Sequence, residues 1–399
     1  MSSKLQFTRY LYVKDEVKLS LILCILNKKD ESIFWAYELY YSGFKTELTH
    51  LFWSMYYDFY YTLNPSFEKY LQQKLKTNLD FEVNCDNLLA MIVNNFMIRP
   101  HTMDIFMLKQ ITQICDFDNP CIQEYKISSN FAIISTDLES ILETHDYMML
   151  AFLILTEIKD EHIIETLKIV VNHFNKKGLK LDSKKVIVEY KKYVNNNYHS
   201  NNKRIIILSR ILHYYVVIKN IKLGKNIYVH IEPEEVIIYE TINADLKVKN
   251  DELTPILPAY KILSLATVYY IDKYNYLSLF HLQREKLDIK IVYREQWLYY
   301  ASFSPLWKER IVKHNGFIDE INKKIIFAEK ENSDDNEQAF YNEFGYEPDE
   351  QKIETQNKII QEIKSERTWS SFYSEHKSSG LITVDDDILN DLSNIIYNL

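Results

Sequence analysis

Residues 15–43 read DEVKLSLILCILNKKDESIFWAYELYYSG and carry two helical patterns of apolar residues, one after the other. Steps of three and four residues place apolar side chains on one face of an α-helix. The two stripes are Val17, Leu21, Cys24 and Ile25, then Ile33, Phe34, Tyr37 and Tyr41. Gly43 stands where a glycine commonly ends a helix. The stretch therefore predicts two consecutive helices with a short polar link.

The same spacing continues through the first half of the chain. Asn64-Pro65 and Ser304-Pro305 are each typical of a helix start. Further helices are predicted at 86–98, 102–115, 129–143, 146–158, 161–177, 183–195 and 203–218. Their connections are short, and no fixed-period repeat occurs. We therefore expect residues 1–220 to form an irregular, solenoid-like stack of helical hairpins.

The chain changes character after residue 220. Two β-branched runs, 226–231 and 236–242, are separated by charged residues and a proline, which predicts a small β-hairpin. Residues 284–330 read as helical again. The predicted fold class is therefore mainly α, with a compact mixed α/β segment at 226–329.

Residues 330–399 carry 6 Lys/Arg and 16 Asp/Glu, a net charge of −10. We expect an acidic, partly disordered tail with short helices. Its charge has the right sign to compete with nucleic acid for a basic surface. Alternatively, apolar positions such as Trp369 and Phe372 dock on the helical body, and the charges face solvent.

Composition excludes several classes of function. The 399 residues include only 6 glycines, and neither G-x-x-x-x-G-K nor G-x-G-x-x-G occurs. Glycine-rich loops that hold nucleotide phosphates are therefore not expected, and we predict no cofactor. Four cysteines are too few for a disulfide framework. The longest apolar runs reach about half of the roughly 20 residues that a membrane span needs, so we expect an intracellular protein without a membrane partner.

Positive charge is concentrated in one block, residues 167–225. It contains 14 Lys/Arg against Asp182 and Glu189, a net charge of +12. Clustered cations neutralise phosphates, and lysine favours backbone contact over base reading. The predicted nucleic-acid-binding residues, within 176–225, are Lys176, Lys177, Lys180, Lys184, Lys185, Lys191, Lys192, Lys203, Arg204 and Arg210.

Aromatic residues in the same block could stack on unpaired bases. They are Tyr190, Tyr193, Tyr198, His199, Tyr214 and Tyr215. Two other interpretations of the block stay open at this point. Its lysines could line solvated helix faces, or they could pair with an acidic protein or with acidic segments of the same chain.

Residues 186–191, VIVEYK, allow a nuclease interpretation. A strand that ends in Glu-x-Lys, with an upstream Asp, is the magnesium-binding core of many restriction-type nucleases. Glu189 and Lys191 would be its downstream members, and Asp182 or Asp160 the upstream acid. The same residues fit a helix, which would separate these groups.

Other constellations carry weaker signals. His162 and His173, with the carboxylates around them, share a helix face but are about 16 Å apart along its axis, too far for one metal ion. Cys115 and Cys121 lack the spacing of a zinc site. The acidic run 385–387 is expected to begin the last helix.

Two aromatic stretches, 52–61 and 297–307, could form a peptide-binding groove, although core packing is the default for aromatics. The strings FWAYELYYSGF at 34–44 and WLYYASFSPLW at 297–307 resemble proteins of large nucleocytoplasmic DNA viruses, the giant-virus kind. The resemblance implies a viral, intracellular setting, in the host cytoplasm or the virion, and carries over no functional residues.

From the sequence we expect a non-enzymatic scaffold or adaptor that binds nucleic acid or a nucleoprotein through residues 176–225. The first alternative is a structural virion or assembly protein with protein partners only. The second alternative is the metal-dependent nuclease built on Glu189 and Lys191.

Overall fold

The computed structural model describes residues 5–75, 86–115, 131–194, 203–239, 287–288, 291–292, 295–328, 336–344, 368–377 and 380–396. These residues form sixteen α-helices and one two-stranded antiparallel sheet, so the predicted mainly α class is confirmed. The helices are α1 Lys14–Leu26, α2 Glu31–Tyr41, α3 Lys45–Met55, α4 Phe67–Lys74, α5 Asp86–Met97, α6 Asp104–Cys115, α7 Phe131–Thr144, α8 Tyr147–Phe152, α9 Ile163–Lys176, α10 Ser183–Val194, α11 Lys203–Ile218, α12 Trp297–Ala301, α13 Pro305–Lys313, α14 Asn336–Phe344, α15 Trp369–His376 and α16 Asp386–Ile396. The strands are β1 Gly316–Asp319 and β2 Lys324–Phe327.

The chain divides into two compact units, each built from separated segments. Unit 1 comprises Met1–Leu48, Asn78–Asn94 and Val229–Thr368, and unit 2 comprises Thr49–Thr77, Asn95–Tyr228 and Trp369–Leu399. No helix among the described residues combines the length and the apolar character that crossing a bilayer requires.

The predicted first pair of helices, α1 and α2, is present in unit 1, and Gly43 ends α2 as expected. Gly43 has φ +89°, and its N–H donates to the carbonyl of Tyr40 at 3.0 Å. The next N–H, of Phe44, reaches the carbonyl of Leu39 at 3.0 Å. These two bonds are the Schellman arrangement, which satisfies the last carbonyls of the helix.

The aromatic stretch 297–307 lies in the core of unit 1. Trp307 is fully buried, its indole N–H donates to the carbonyl of Thr8 at 2.9 Å, and its ring meets that of Trp297 edge-on. Ser304 caps α13 by accepting from the N–H of Trp307, as the Ser-Pro pair predicts. The peptide-groove interpretation of this stretch is wrong, because the rings pack inward.

The β-hairpin is at a different place from the predicted one. In the described part of 226–242 no strand forms, and Pro233–Tyr239 is a 3₁₀ helix. Side chains take the place of a partner strand: Arg99 donates to the carbonyl of Ile227 at 2.8 Å, and Asn87 to that of Ile231 at 2.6 Å.

The observed hairpin, β1–β2, lies within the stretch predicted to be helical. Its turn is held by Asp319, whose carboxylate accepts from the N–H groups of Ile321 and Asn322, and by Lys323 at φ +51°. Asn322 and Lys323 do not signal a tight turn as strongly as Asn-Gly would, which is why the sequence did not predict it.

In unit 2 the aromatic stretch 52–61 is also core, so its groove interpretation is wrong as well. Phe52, Trp53 and Tyr56 are each at most 2% exposed. Asn64 does not cap a helix, because its amide donates to the carbonyls of Tyr60 and Pro100, and α4 begins only at Phe67.

The described parts of the acidic tail are folded. Phe340 of α14 is fully buried in the core of unit 1, and Trp369 and Phe372 of α15 are fully buried in unit 2. The acidic run 385–387 begins α16, as predicted. The linker at 331–335 lies outside the described residues, so its expected disorder stays a prediction.

Candidate nucleic-acid interface

The basic block centres on a helical hairpin of unit 2, α9 and α10, whose turn is closely specified. Gly178, at φ +101°, ends α9 with a second Schellman arrangement: its N–H reaches the carbonyl of Asn175 at 3.1 Å, and that of Leu179 reaches Phe174 at 3.0 Å. The Asn175 side chain then bonds to both the N–H and the carbonyl of Leu181, at 2.7 and 3.0 Å. The turn therefore fixes where α10 begins.

Asp182 caps α10. Its carboxylate accepts from the N–H groups of Lys184 and Lys185 at 2.9 and 3.2 Å, which satisfies backbone donors in the first turn. The nuclease interpretation offered Asp182 as its upstream acid. In the structure the Asp182 carboxylate instead caps the N-terminus of α10.

One face of α10 is buried and the opposite face is basic. Val186, Tyr190 and Tyr193 of this helix are buried in the interior of unit 2. Lys184, Lys185, Lys191 and Lys192, which we call the lysine face, are all exposed. At about 100° per residue these four side chains occupy an arc of about 120°, centred opposite the buried stripe. Among the described residues no carboxylate forms an ion pair with any of them.

Two more predicted lysines adjoin this face at the hairpin turn. Lys176 is the last residue of α9, Lys180 lies in the turn, and both are exposed. Helix periodicity places the four lysines of α10 on one side of that helix, whereas a single contiguous basic surface over residues 176–225 stays a prediction.

Other predicted members are paired with acidic residues of the same unit. The Lys177 ammonium lies 2.6 Å from a Glu143 carboxylate oxygen. Lys203 and Arg204 both face Asp160, at 3.1 and 3.6 Å. These three cations are therefore partly neutralised, as the interpretation of pairing with acidic segments of the same chain predicted. Asp160, the other candidate for an upstream nuclease acid, forms ion pairs with two of them.

The prediction that Arg210 binds nucleic acid is wrong. It is 4% exposed and lies among tyrosines and Glu68 in the core of unit 2. Burial works to lower the pKa of its guanidinium, but the nearby Tyr61 and Glu68 outweigh burial and raise it. A side chain buried to this degree cannot contact an external phosphate.

The prediction that aromatic residues of the block stack on unpaired bases is wrong for the four tyrosines that the structure describes. Tyr190, Tyr193, Tyr214 and Tyr215 are at most 9% exposed, because they form the seam between α10, α11 and the body of the unit. Tyr198 and His199 lie outside the described residues. The exposed residue in the middle of the lysine face is Val188, at 64% exposure.

The structure contradicts the strand that the nuclease interpretation requires. Residues 186–191 are helical within α10, not a strand. Glu189 and Lys191 are two residues apart, which places them about 160° apart around the helix axis. In the described part of the chain, no three His, Cys, Asp or Glu side chains are arranged to hold a metal ion.

A buried polar cluster on the inner side of α10 was not predicted from the sequence. Glu68 of α4 is 5% exposed, and its carboxylate accepts from the Tyr57 hydroxyl at 2.7 Å and interacts with that of Tyr193 on α10. Burial raises the pKa of Glu68 to about 7, although Arg210 and the tyrosine hydroxyl act to lower it. No local pattern marks Glu68, because its partners lie on other helices.

Comparison with known proteins adds no relative: no family model, curated protein or solved structure matches the chain.

Proposed function

We propose that this protein is a non-enzymatic scaffold that binds the phosphate backbone of nucleic acid, alone or within a nucleoprotein, through the lysine face and the adjoining Lys176 and Lys180. The observation that supports the proposal is the exposure of all four lysines on one side of α10, without carboxylate partners among the described residues. Neutralising phosphates with such cations releases counterions and supplies most of the non-specific affinity for nucleic acid.

The proposal is specific about the mode of contact. Lysine is a point charge on a flexible stem, so it follows phosphates without reading base edges. We therefore expect no sequence preference. The viral, intracellular setting that the resemblance implies is part of the proposal and suits a protein that organises nucleic acid during replication or assembly.

Charge reversal with a matched control tests the proposal. The test variant carries Lys→Glu at all four positions of the lysine face, and the control carries Lys→Glu at the exposed Lys29, Lys69, Lys308 and Lys324. Both lose the same net charge. In fluorescence anisotropy with labelled DNA at 50 mM salt, we expect the test variant to bind at least about tenfold more weakly and the control less than threefold. Equal losses, or a wild type that binds no nucleic acid, would contradict the proposal.

A second candidate function, binding of protein partners only, is favoured by a different surface. On β1–β2 of unit 1, Phe317 and Ile326 face each other across the strands and are 53% and 42% exposed, and Ile321 at the turn is 92% exposed. An exposed apolar group of this kind is typical of a protein-contact surface. Replacing Phe317 and Ile321 by Ser would leave nucleic-acid binding unchanged under the first proposal.

A further inference from the structure

The four lysines of the lysine face form two rows along α10. Lys184 and Lys191 are seven residues apart, so they lie about 20° from each other around the axis and about 10 Å apart along it. Lys185 and Lys192 repeat this relation. The second row is about 100° from the first.

The space between the rows is apolar and uncharged. Val188 lies midway between them, about 50° from each row, and it is 64% exposed. With a helix about 10–12 Å in diameter, the rows are roughly 8 Å apart at the helix surface and farther apart at the lysine tips. That separation falls between the widths of the minor groove, about 6 Å, and the major groove, about 12 Å.

We infer that the partner of the lysine face is double-stranded nucleic acid, with one row of lysines on the phosphates of each strand and Val188 over the groove. The inference rests on the proposed function and names its substrate class. Two observations carry it. The lysines form two rows and not one line, as a duplex presents two lines of phosphates, and the described tyrosines of the block are buried, which removes them as stacking platforms for unpaired bases.

A single strand presents one line of phosphates and engages one row at a time. Loss of one row therefore affects the two substrates differently: a duplex loses one of its two contacted strands, whereas a single strand moves to the remaining row. Loss of one lysine from each row lowers the affinity for both substrates alike. This difference distinguishes paired rows from simple charge density.

The test uses the full chain, a labelled 20-base-pair DNA duplex and labelled dT20, with affinities measured by anisotropy at 50 mM salt. The row variants are Lys184→Gln/Lys191→Gln and Lys185→Gln/Lys192→Gln, and the control with the same charge is Lys184→Gln/Lys185→Gln. All four side chains are exposed, so equal thermal midpoints check that the variants are folded.

We expect the wild type to bind the duplex at least about fivefold more tightly than dT20. Each row variant should lose about tenfold in duplex affinity and less than threefold for dT20, while the control loses similar factors for both. Equal or tighter binding of dT20 by the wild type, or a duplex preference that is unchanged in the row variants, would overturn the inference and leave the proposed function standing. Absence of binding to both probes would overturn both.

Discussion

A carboxylate oxygen of Asp104 accepts a hydrogen bond from the backbone N–H of Leu381 at 2.9 Å, across 277 residues of sequence. Its other oxygen faces the N–H of Ile382 at 3.4 Å. Asp104 begins α6 and is 2% exposed, and Phe106 on the same helix packs against Trp369 and Phe372. The C-terminal segment is thus built into the core of unit 2, which favours docking over the acidic-arm interpretation of the tail.

Truncation after Thr368 is expected to lower the thermal midpoint. It removes Trp369 and Phe372 from the core and leaves the buried carboxylate of Asp104 without its backbone donors. Thermal unfolding followed by circular dichroism measures the midpoint, and DNA binding at low salt is measured below it. An unchanged midpoint together with tighter DNA binding would show instead that the tail occludes the lysine face.

Gly380→Ala is expected to destabilise the protein by about 1–3 kcal/mol, the usual cost of overpacking. A Cβ at Gly380 would clash with a carboxylate oxygen of Asp104. In an Asp104→Ala background the same substitution should cost much less, because the clashing atoms are gone. Equal costs in the two backgrounds, from urea unfolding, would contradict the close approach.

Gly178→Ala tests the turn of the α9–α10 hairpin by a different mechanism. Nothing lies within 4 Å of the position that its Cβ would occupy, so the cost is that of the backbone at φ +101° alone. We expect a loss of about 1–2 kcal/mol. Gly178→Asn should cost less, because asparagine tolerates positive φ better than alanine. Similar stabilities of the Ala and Asn variants would contradict the role of this conformation.

Glu68 is expected to make stability fall as pH rises. Its pKa is raised to about 7 in the folded protein, from an ordinary value of 4.5, so the folded state binds the proton more tightly than the unfolded state. The stabilising contribution is complete below about pH 4.5 and is lost as the pH passes about 7. Glu68→Gln is neutral throughout and should be more stable than the wild type at pH 8, by about 1–3 kcal/mol, but not at pH 5. Parallel pH profiles of the two proteins would contradict this.

The helices could be predicted from the sequence because their signals are local. Residues 203–218 were predicted, and α11 has the same bounds; the Gly43 and Ser304 helix ends are also as expected. The hairpin β1–β2 could not be predicted, because its turn lacks glycine and its apolar residues also fit a helical spacing.

The candidate site was predictable in part for the same reason. The lysine face follows from charge and helix periodicity, both of which are local. The burial of Arg210 and the ion pairs of Lys203 and Arg204 depend on Glu68 and Asp160, which tertiary packing brings to them from distant segments.

The salt dependence of DNA affinity tests the central claim most directly. The logarithm of the binding constant for a duplex falls with the logarithm of salt concentration by about 0.9 for each phosphate neutralised. With all six cations of the lysine face, Lys176 and Lys180 in contact, we predict a slope of about −5 for the wild type. Charge reversal of the lysine face leaves two of these contacts and should bring the slope to about −2. A wild-type slope near zero, or the same slope in the charge-reversed protein, would contradict the account.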